Sequence, residues 1–141
     1  MDLEPREGDE TVDRLAEFGR HYSMVAAPAL RRAERRVIGA DYGATSYTTL
    51  TQADRLGEIL DLRPGRHLLD IGSGTGWPGI YLASSTGCRV TLTDIPLQGL
   101  RVARNRVAEE SVSGSVVAAA GDVLPFGDSI FDAAASSDVL C

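Results

Sequence analysis

The chain has 141 residues, 43% hydrophobic and 24% charged, with a formal net charge of −6. That is about one domain of ordinary globular sequence, able to hide about two-thirds of its unfolded surface, which argues against wholesale disorder. The acidic balance argues against a general nucleic-acid or anionic-membrane binder, and no apolar run nears the roughly 18 residues of a membrane helix.

Residues 1–10 hold five acids (Asp2, Glu4, Glu7, Asp9 and Glu10) with Pro5 and Gly8 between them, and read as an acidic, flexible tail. Such a start is unlike the basic, then apolar, opening of a signal peptide, so a cytoplasmic location is expected. From residue 11, Val12, Leu15, Phe18, Tyr22, Val25, Leu30, Ala33 and Val37 recur at steps of three to five. This predicts a helix with one apolar face, which Pro28 breaks into two. Residues 39–49 are rich in Gly, Ser and Thr and form a connector, so residues 11–50 are a helical segment with its connector. Thr51 is placed to cap a helix over 52–61 with Leu56, Ile59 and Leu60 inward, ended by Pro64-Gly65.

The main domain is expected over 51–141. His67-Leu68-Leu69-Asp70-Ile71 is a short apolar strand that breaks into Gly72-Ser73-Gly74-Thr75-Gly76. A helix follows, with Pro78 in its first turn and Gly87 at its end. Then come a strand over 89–94, a helix near 97–110, a strand over 115–120, a loop over 121–128 and a fourth strand over 130–136. Short apolar strands alternating with amphipathic helices mean βαβ units and a parallel sheet. Cys88 opens the second strand as a small core residue, and neither it nor Cys141 has metal-site spacing.

In an open parallel sheet, ligands bind at the carboxyl ends of the strands. Four features fall there: Asp70 to Gly76, Asp94, Asp122, and Ser137-Asp138. Glycines make turns and aspartates sit in loops, but four such features at four successive strand ends point to a site. All 14 cations are Arg and none is Lys, which removes a Walker phosphate loop and a Schiff-base lysine. The dinucleotide fingerprint wants a third glycine. From Gly74 that position is Trp77, whereas taking Gly74 and Gly76 as the first pair brings Gly79 into register, so spacing leaves both open. Residues 67–88 contain no Arg, and 107–141 contain none and carry six acids. A rim of Asp70, Asp94, Asp122 and Asp138 suits a cationic ligand.

Leu69-Asp70-Ile71-Gly72-Ser73-Gly74-Thr75-Gly76 resembles motif I of the class I, Rossmann-like S-adenosylmethionine-dependent methyltransferases. Asp94 matches their acid at the end of the second strand, Gly121 to Phe126 their adenine-side loop, and Phe131-Asp132 through Asp138 their fourth-strand motif. The resemblance covers about residues 45–141. It implies an α/β fold whose four strands are the first of a seven-stranded sheet, behind a helical N-terminal lid, with S-adenosyl-L-methionine as cofactor. It further implies that Gly72, Ser73, Gly74 and Gly76 admit the methionine moiety and that Asp70 faces the cofactor's amino group. Asp94 would accept from both ribose hydroxyls and Ile95 would lie on the adenine. Asp122 would accept from the adenine amino group, the Val123 amide would donate to a ring nitrogen, and Ser137 would meet the cofactor amine. Tyr47, in the connector, is a candidate aromatic closing over the cofactor.

Methyl transfer is an in-line displacement that needs a base only when the acceptor must lose a proton. His67 stands at the wrong end of the sheet and reads as structural. His21, on the helical segment, reads as a surface or satisfied histidine. No catalytic base is assigned. Arg31-Arg32 and Arg35-Arg36 read as a solvated helix face supported by Glu34 and neighbouring acids.

The expected activity is methyl transfer to a small-molecule or lipid acceptor, with no nucleic-acid partner and no membrane span. Two alternatives remain: an NAD-binding oxidoreductase domain, in which Asp122 is unexplained, and a truncated cofactor-binding module without turnover. The chain stops just past the fourth strand, so it is expected to be incomplete, to lack efficient turnover alone and to self-associate through an exposed sheet edge.

Overall fold

In the computed structural model of the chain, residues 7–24, 27–42, 46–137 and 139 are described. Helix α1 runs Glu7–Ser23, so it takes in residues 7–10 of the expected tail. Helix α2 is Pro28–Val37. Pro28 opens it because a proline loses nothing at a position whose N–H has no helical partner. Val25, which belonged to the same apolar period, lies outside the described residues.

Helix α3 is Leu50–Ile59, two residues ahead of the expected 52–61, and the cap explains the shift. Thr49 Oγ1 accepts from Gln52 N at 3.3 Å, while Gln52 Oε1 accepts from Thr49 N at 2.8 Å. This reciprocal capping box satisfies two amides that the helix start would orphan. Thr51 therefore lies inside the first turn rather than capping it.

The remaining elements alternate: β1 His67–Ile71, α4 Gly79–Thr86, β2 Arg89–Asp94, α5 Leu97–Glu109, β3 Gly114–Ala118 and β4 Ala133–Ser136. The four strands form one parallel sheet in the order β3-β2-β1-β4. Pro78 immediately precedes α4 instead of standing in its first turn, and Gly87, at φ +74°, ends that helix as expected. The third strand stops at Ala118, not 120. Ala119 N still donates to Asp94 O at 3.0 Å, and then the chain turns, with Val123 N on Ala120 O at 3.1 Å. The fourth strand begins at Ala133, not 130, because Phe131 leaves the ladder to pack, tilted, against the His67 ring at 4.6 Å.

Helices α4 and α5 pack on one face of the sheet, and α3 packs against α4. The core there is Leu68, Val90 and Leu92 from the strands, Ile80, Leu82 and Ala83 from α4, and Ala103 from α5, with Cys88 buried beside them. A second buried cluster, Ile38, Ala40, Ala53 and Trp77, ties the segment after α2 and helix α3 to the loop after β1. Strand order reverses at β1: β2 and β3 lie to one side and β4 to the other. Chain crossovers leave a crevice at such a point, outside the carboxyl ends of the strands.

Candidate functional site

The loop after β1 is built from backbone. Gly72 N and Ser73 N both donate to Thr93 O, at 2.8 and 2.9 Å, and Gly76 N donates to Ser73 O at 2.7 Å. Gly74 N donates to Asp94 Oδ2 at 2.8 Å. The loop is thereby pinned to the end of β2, and four of the amides in 72–76 are consumed within the protein. Gly76, at φ +103°, takes a conformation that other residues rarely adopt.

Gly79, the first residue of α4, stands at a close approach of helix and strand, so the register of Gly74, Gly76 and Gly79 is met and the glycines alone do not decide between the two cofactors. A Cβ there would collide with the Asp70 carboxylate and lie 2.7 Å from Leu92 Cδ2. It is the glycine that lets helix and strand approach. Trp77 does the opposite job: it is 3% exposed, donates from Nε1 to Thr48 O at 3.0 Å and packs between Tyr42 and Tyr81.

Asp70 is fully buried behind the loop, its Oδ2 accepting from Gly79 N at 3.1 Å. Burial raises its pKa to about 8, opposed by the Gly79 amide and helped by the charge of Asp94. Asp94 closes β2 with each oxygen on an amide, Oδ2 on Gly74 and Oδ1 on Ile95, the latter at 2.8 Å. Its pKa is also raised, by burial that these two amides only partly offset. Each carboxylate oxygen has a second lone pair, so Asp94 keeps acceptor capacity.

Gly72, Asp94, Ile95, Pro96 and Val139 line one side of a cleft of about 220 Å³, and Leu15, Phe18 and Tyr22 of α1 line the other. The structure thus brings together Gly72, Asp94 and Ile95 in the cleft, with Ser73, Gly74 and Gly76 in the adjoining loop. Asp122 and Val123 are exposed in the loop after β3, and the Val123 amide is engaged by Ala120. Ser137 Oγ hydrogen-bonds Thr48 Oγ1 at the end of β4. Tyr47 is 83% exposed and does not line the cleft. Asp138, expected on the acidic rim, lies outside the described residues.

Two contributors escaped the sequence reading. Tyr22 covers Gly74: a Cβ on that glycine would lie 2.9 Å from the phenol oxygen. Arg106 of α5 donates to Thr75 O at 3.1 Å and stacks over the Tyr42 ring at 5.0 Å, bracing the loop from behind. Tyr22 had a signal, its place on the apolar period of α1, but nothing local pointed that face at the loop. Arg106 had none.

His67 is structural in the way expected, its Nε2 bonded to Thr91 Oγ1 at 2.9 Å, with burial first and Arg89 second lowering its pKa. The arginine face of α2 is exposed, as expected, and two of its arginines pair with a neighbouring acid. Arg31 and Arg35 hold Asp41, whose pKa falls because their hydrogen bonds and charges outweigh its desolvation. Glu34 is instead buried.

Residues 68–141 match the family model described as a methyltransferase domain. A 27-O-demethylrifamycin SV methyltransferase from Amycolatopsis mediterranei is 37% identical over 65% of this chain and 35% of its own. A ubiquinone/menaquinone biosynthesis C-methyltransferase from Ectopseudomonas mendocina is 40% identical over 53% of this chain and 31% of its own. Among solved structures, an S-adenosyl-L-homocysteine complex of a SAM-dependent methyltransferase from Thiobacillus denitrificans aligns with TM-score 0.55 at 27% identity, over 74% of this chain and 42% of its own. The chain spans about a third of the length of the curated relatives it matches. With a matching model over more than half its residues, the chain belongs to the methyltransferase-domain family.

Proposed function

We propose that the cleft between α1 and the carboxyl ends of β1 and β2 binds S-adenosyl-L-methionine, and that the whole protein transfers its methyl group to a small-molecule or lipid acceptor. The observation that carries this reading is Asp94, a strand-end carboxylate oriented by two amides, with acceptor capacity left for a vicinal diol. When bound, the cofactor supplies an electrophilic methyl on a sulfonium. The lining fits it: the Asp94 carboxylate in the cleft offers acceptor oxygens to the ribose and a favourable charge for a cation.

Asp94 would hold the ribose and Ile95 one face of the adenine, with Asp122 and Val123 at its polar edge. Val123 would reach the ring nitrogen by giving up its bond to Ala120. Gly72, Ser73, Gly74 and Gly76 would receive the methionine moiety, and Ser137 its amine. Asp70 would act on the amine only through the loop that it supports. Tyr47 would have to fold inward. The apolar lining from Leu15, Phe18, Ile95 and Val139 suits a nonpolar acceptor, as do relatives named for a rifamycin and for quinone biosynthesis. No described helix is long and apolar enough to cross a membrane, in keeping with a cytoplasmic site of action.

The NAD reading is weaker on physical grounds. A pyrophosphate is held by loop amides, and here those of Gly72, Ser73, Gly74 and Gly76 are already bonded. Calorimetric titration separates the two: S-adenosyl-L-homocysteine is expected to bind and NAD not, and the reverse result would overturn the proposal.

A further inference from the structure

Another groove, of about 410 Å³, runs between α5 and β3 and shares no lining residue with the cleft. Leu97, Leu100, Arg101 and Arg104 of α5 line one side of it, and Val116 and Ala118 of β3 the other. Among the described strands, β3 pairs with β2 alone and forms an edge of the sheet. Ser113 O accepts from Val90 N and Ala119 N donates to Asp94 O, so the odd-numbered residues of this stretch turn their backbone towards β2. Strand backbone alternates in direction, and the N–H and C=O groups of Gly114, Val116 and Ala118 therefore face outward.

Sheet edges are commonly guarded by charges, proline or a bulge, because free backbone groups invite another strand. From Ser111 to Gly121 there is no charged residue and no proline. The groove beside this edge also runs against the charge of the chain. No acid occurs between Asp94 and Glu109, although the net charge is −6. Arg101 and Arg104 are exposed, and among the described residues neither side chain has a hydrogen bond or an ion pair. They stand one turn apart on α5, about 5–6 Å between Cβ atoms. Residues two apart on a strand point to one face and are about 6.6 Å apart. Acids at alternate positions of an added strand thus match the two arginines.

A second copy of the chain fits this edge poorly. Antiparallel pairing of β3 with its mate brings both α5 helices to one face and turns their arginines towards each other. A nucleic acid would meet the arginines but leave the strand edge unpaired. We infer that the β3 edge and the groove beside it bind an extended acidic segment of another protein, which adds to the sheet as a strand and sets carboxylates against Arg101 and Arg104.

The test titrates the 141-residue chain with a blocked heptapeptide alternating valine and glutamate, followed by amide NMR. Shifts are expected at Gly114, Val116 and Ala118 and along α5 at Arg101 and Arg104, and the same peptide with lysine for glutamate is expected not to bind. Arg101→Glu combined with Arg104→Glu is expected to weaken binding about tenfold, and added salt to weaken it in the unsubstituted chain. Ala118→Pro removes an outward N–H and leaves the β2 ladder whole, so it too is expected to cost about tenfold. Amide spectra unchanged away from the edge report that each variant is folded. Equal binding of the lysine peptide, full binding by Ala118→Pro, or no binding up to about 1 mM would each overturn the inference. So would an oligonucleotide that binds where the glutamate peptide does not, or a dimer of the chain that Ala118→Pro dissociates.

Discussion

The two walls of the cleft are made differently. The sheet wall is backbone held by strand groups: the amides of Gly72 and Ser73 on the Thr93 carbonyl, that of Gly74 on the Asp94 carboxylate, and that of Gly79 on the Asp70 carboxylate. The helical wall is side chains on one helix that packs on α5, and they are only partly covered, with Phe18 51% exposed. A wall whose loop amides are already bonded stands in place before any ligand arrives. A wall held by a few partly exposed side chains has a low opening free energy, so ligand contacts can change its docking. The difference assigns shape to the first wall and coupling to the second.

Substitutions should separate the walls in size of effect. The largest is expected at Gly79→Ala, where the new methyl meets the Asp70 carboxylate and Leu92. A loss of about 3 kcal/mol in urea unfolding is expected from overpacking at a backbone contact. A near-neutral result would show that α4 can move off the sheet, and the first wall would not be rigid. Next comes Asp94→Ala, which orphans the Gly74 and Ile95 amides. It should cost about 2 kcal/mol and at least about tenfold in S-adenosyl-L-homocysteine affinity.

A pH series on Asp70→Asn sharpens the same contrast. With the folded carboxyl raised from 3.8 to about 8, the native state binds this proton more tightly than the unfolded chain does. Its contribution is therefore full below about pH 4 and is lost as pH climbs towards 8. The raised carboxyl of Asp94 acts in the same direction. In thermal melts the unsubstituted chain should lose stability relative to Asp70→Asn between pH 5 and 8, roughly the range set by those two values. Parallel curves would mean that Asp70 is hydrated and ionised. The smallest effect is expected in the helical wall: Phe18→Ala should cost under about 1 kcal/mol, since half of the ring is already in water. A larger loss would show that α1 is an integral part of the core.

How much of this was legible in the sequence follows from the range of the forces involved. The four strands and the strand-end features could be read because apolar runs, glycine turns and acids are local signals, and the parallel sheet followed from their alternation. Strand limits moved by up to three residues where a tertiary contact won, as when Phe131 left the ladder for His67. The α3 cap was spelled out as Thr49-Leu50-Thr51-Gln52 yet misread, since Thr51 is also a good cap by type and only the reciprocal Gln52 bond decides between them. The place of Gly79 needed the α4–β1 distance, which spacing alone does not contain. Tyr22 and Arg106 reach the loop across 52 and 31 residues of sequence, from Gly74 and Thr75 respectively, and such contacts leave no local trace. Tyr47 has the type and connector position of a closing aromatic, yet in the structure it is exposed, while Phe18 and Tyr22 of α1 line the cleft.

The most direct measurement is an amide-resolved NMR titration of the chain with S-adenosyl-L-homocysteine. Shifts are expected to cluster at 72–76, at Asp94 and Ile95, at 121–123 and along Leu15 to Tyr22 of α1. Shifts confined to a groove elsewhere, such as that between α5 and β3 beside Arg101 and Arg104, or the absence of any shift, would contradict a cofactor site at the ends of β1 and β2.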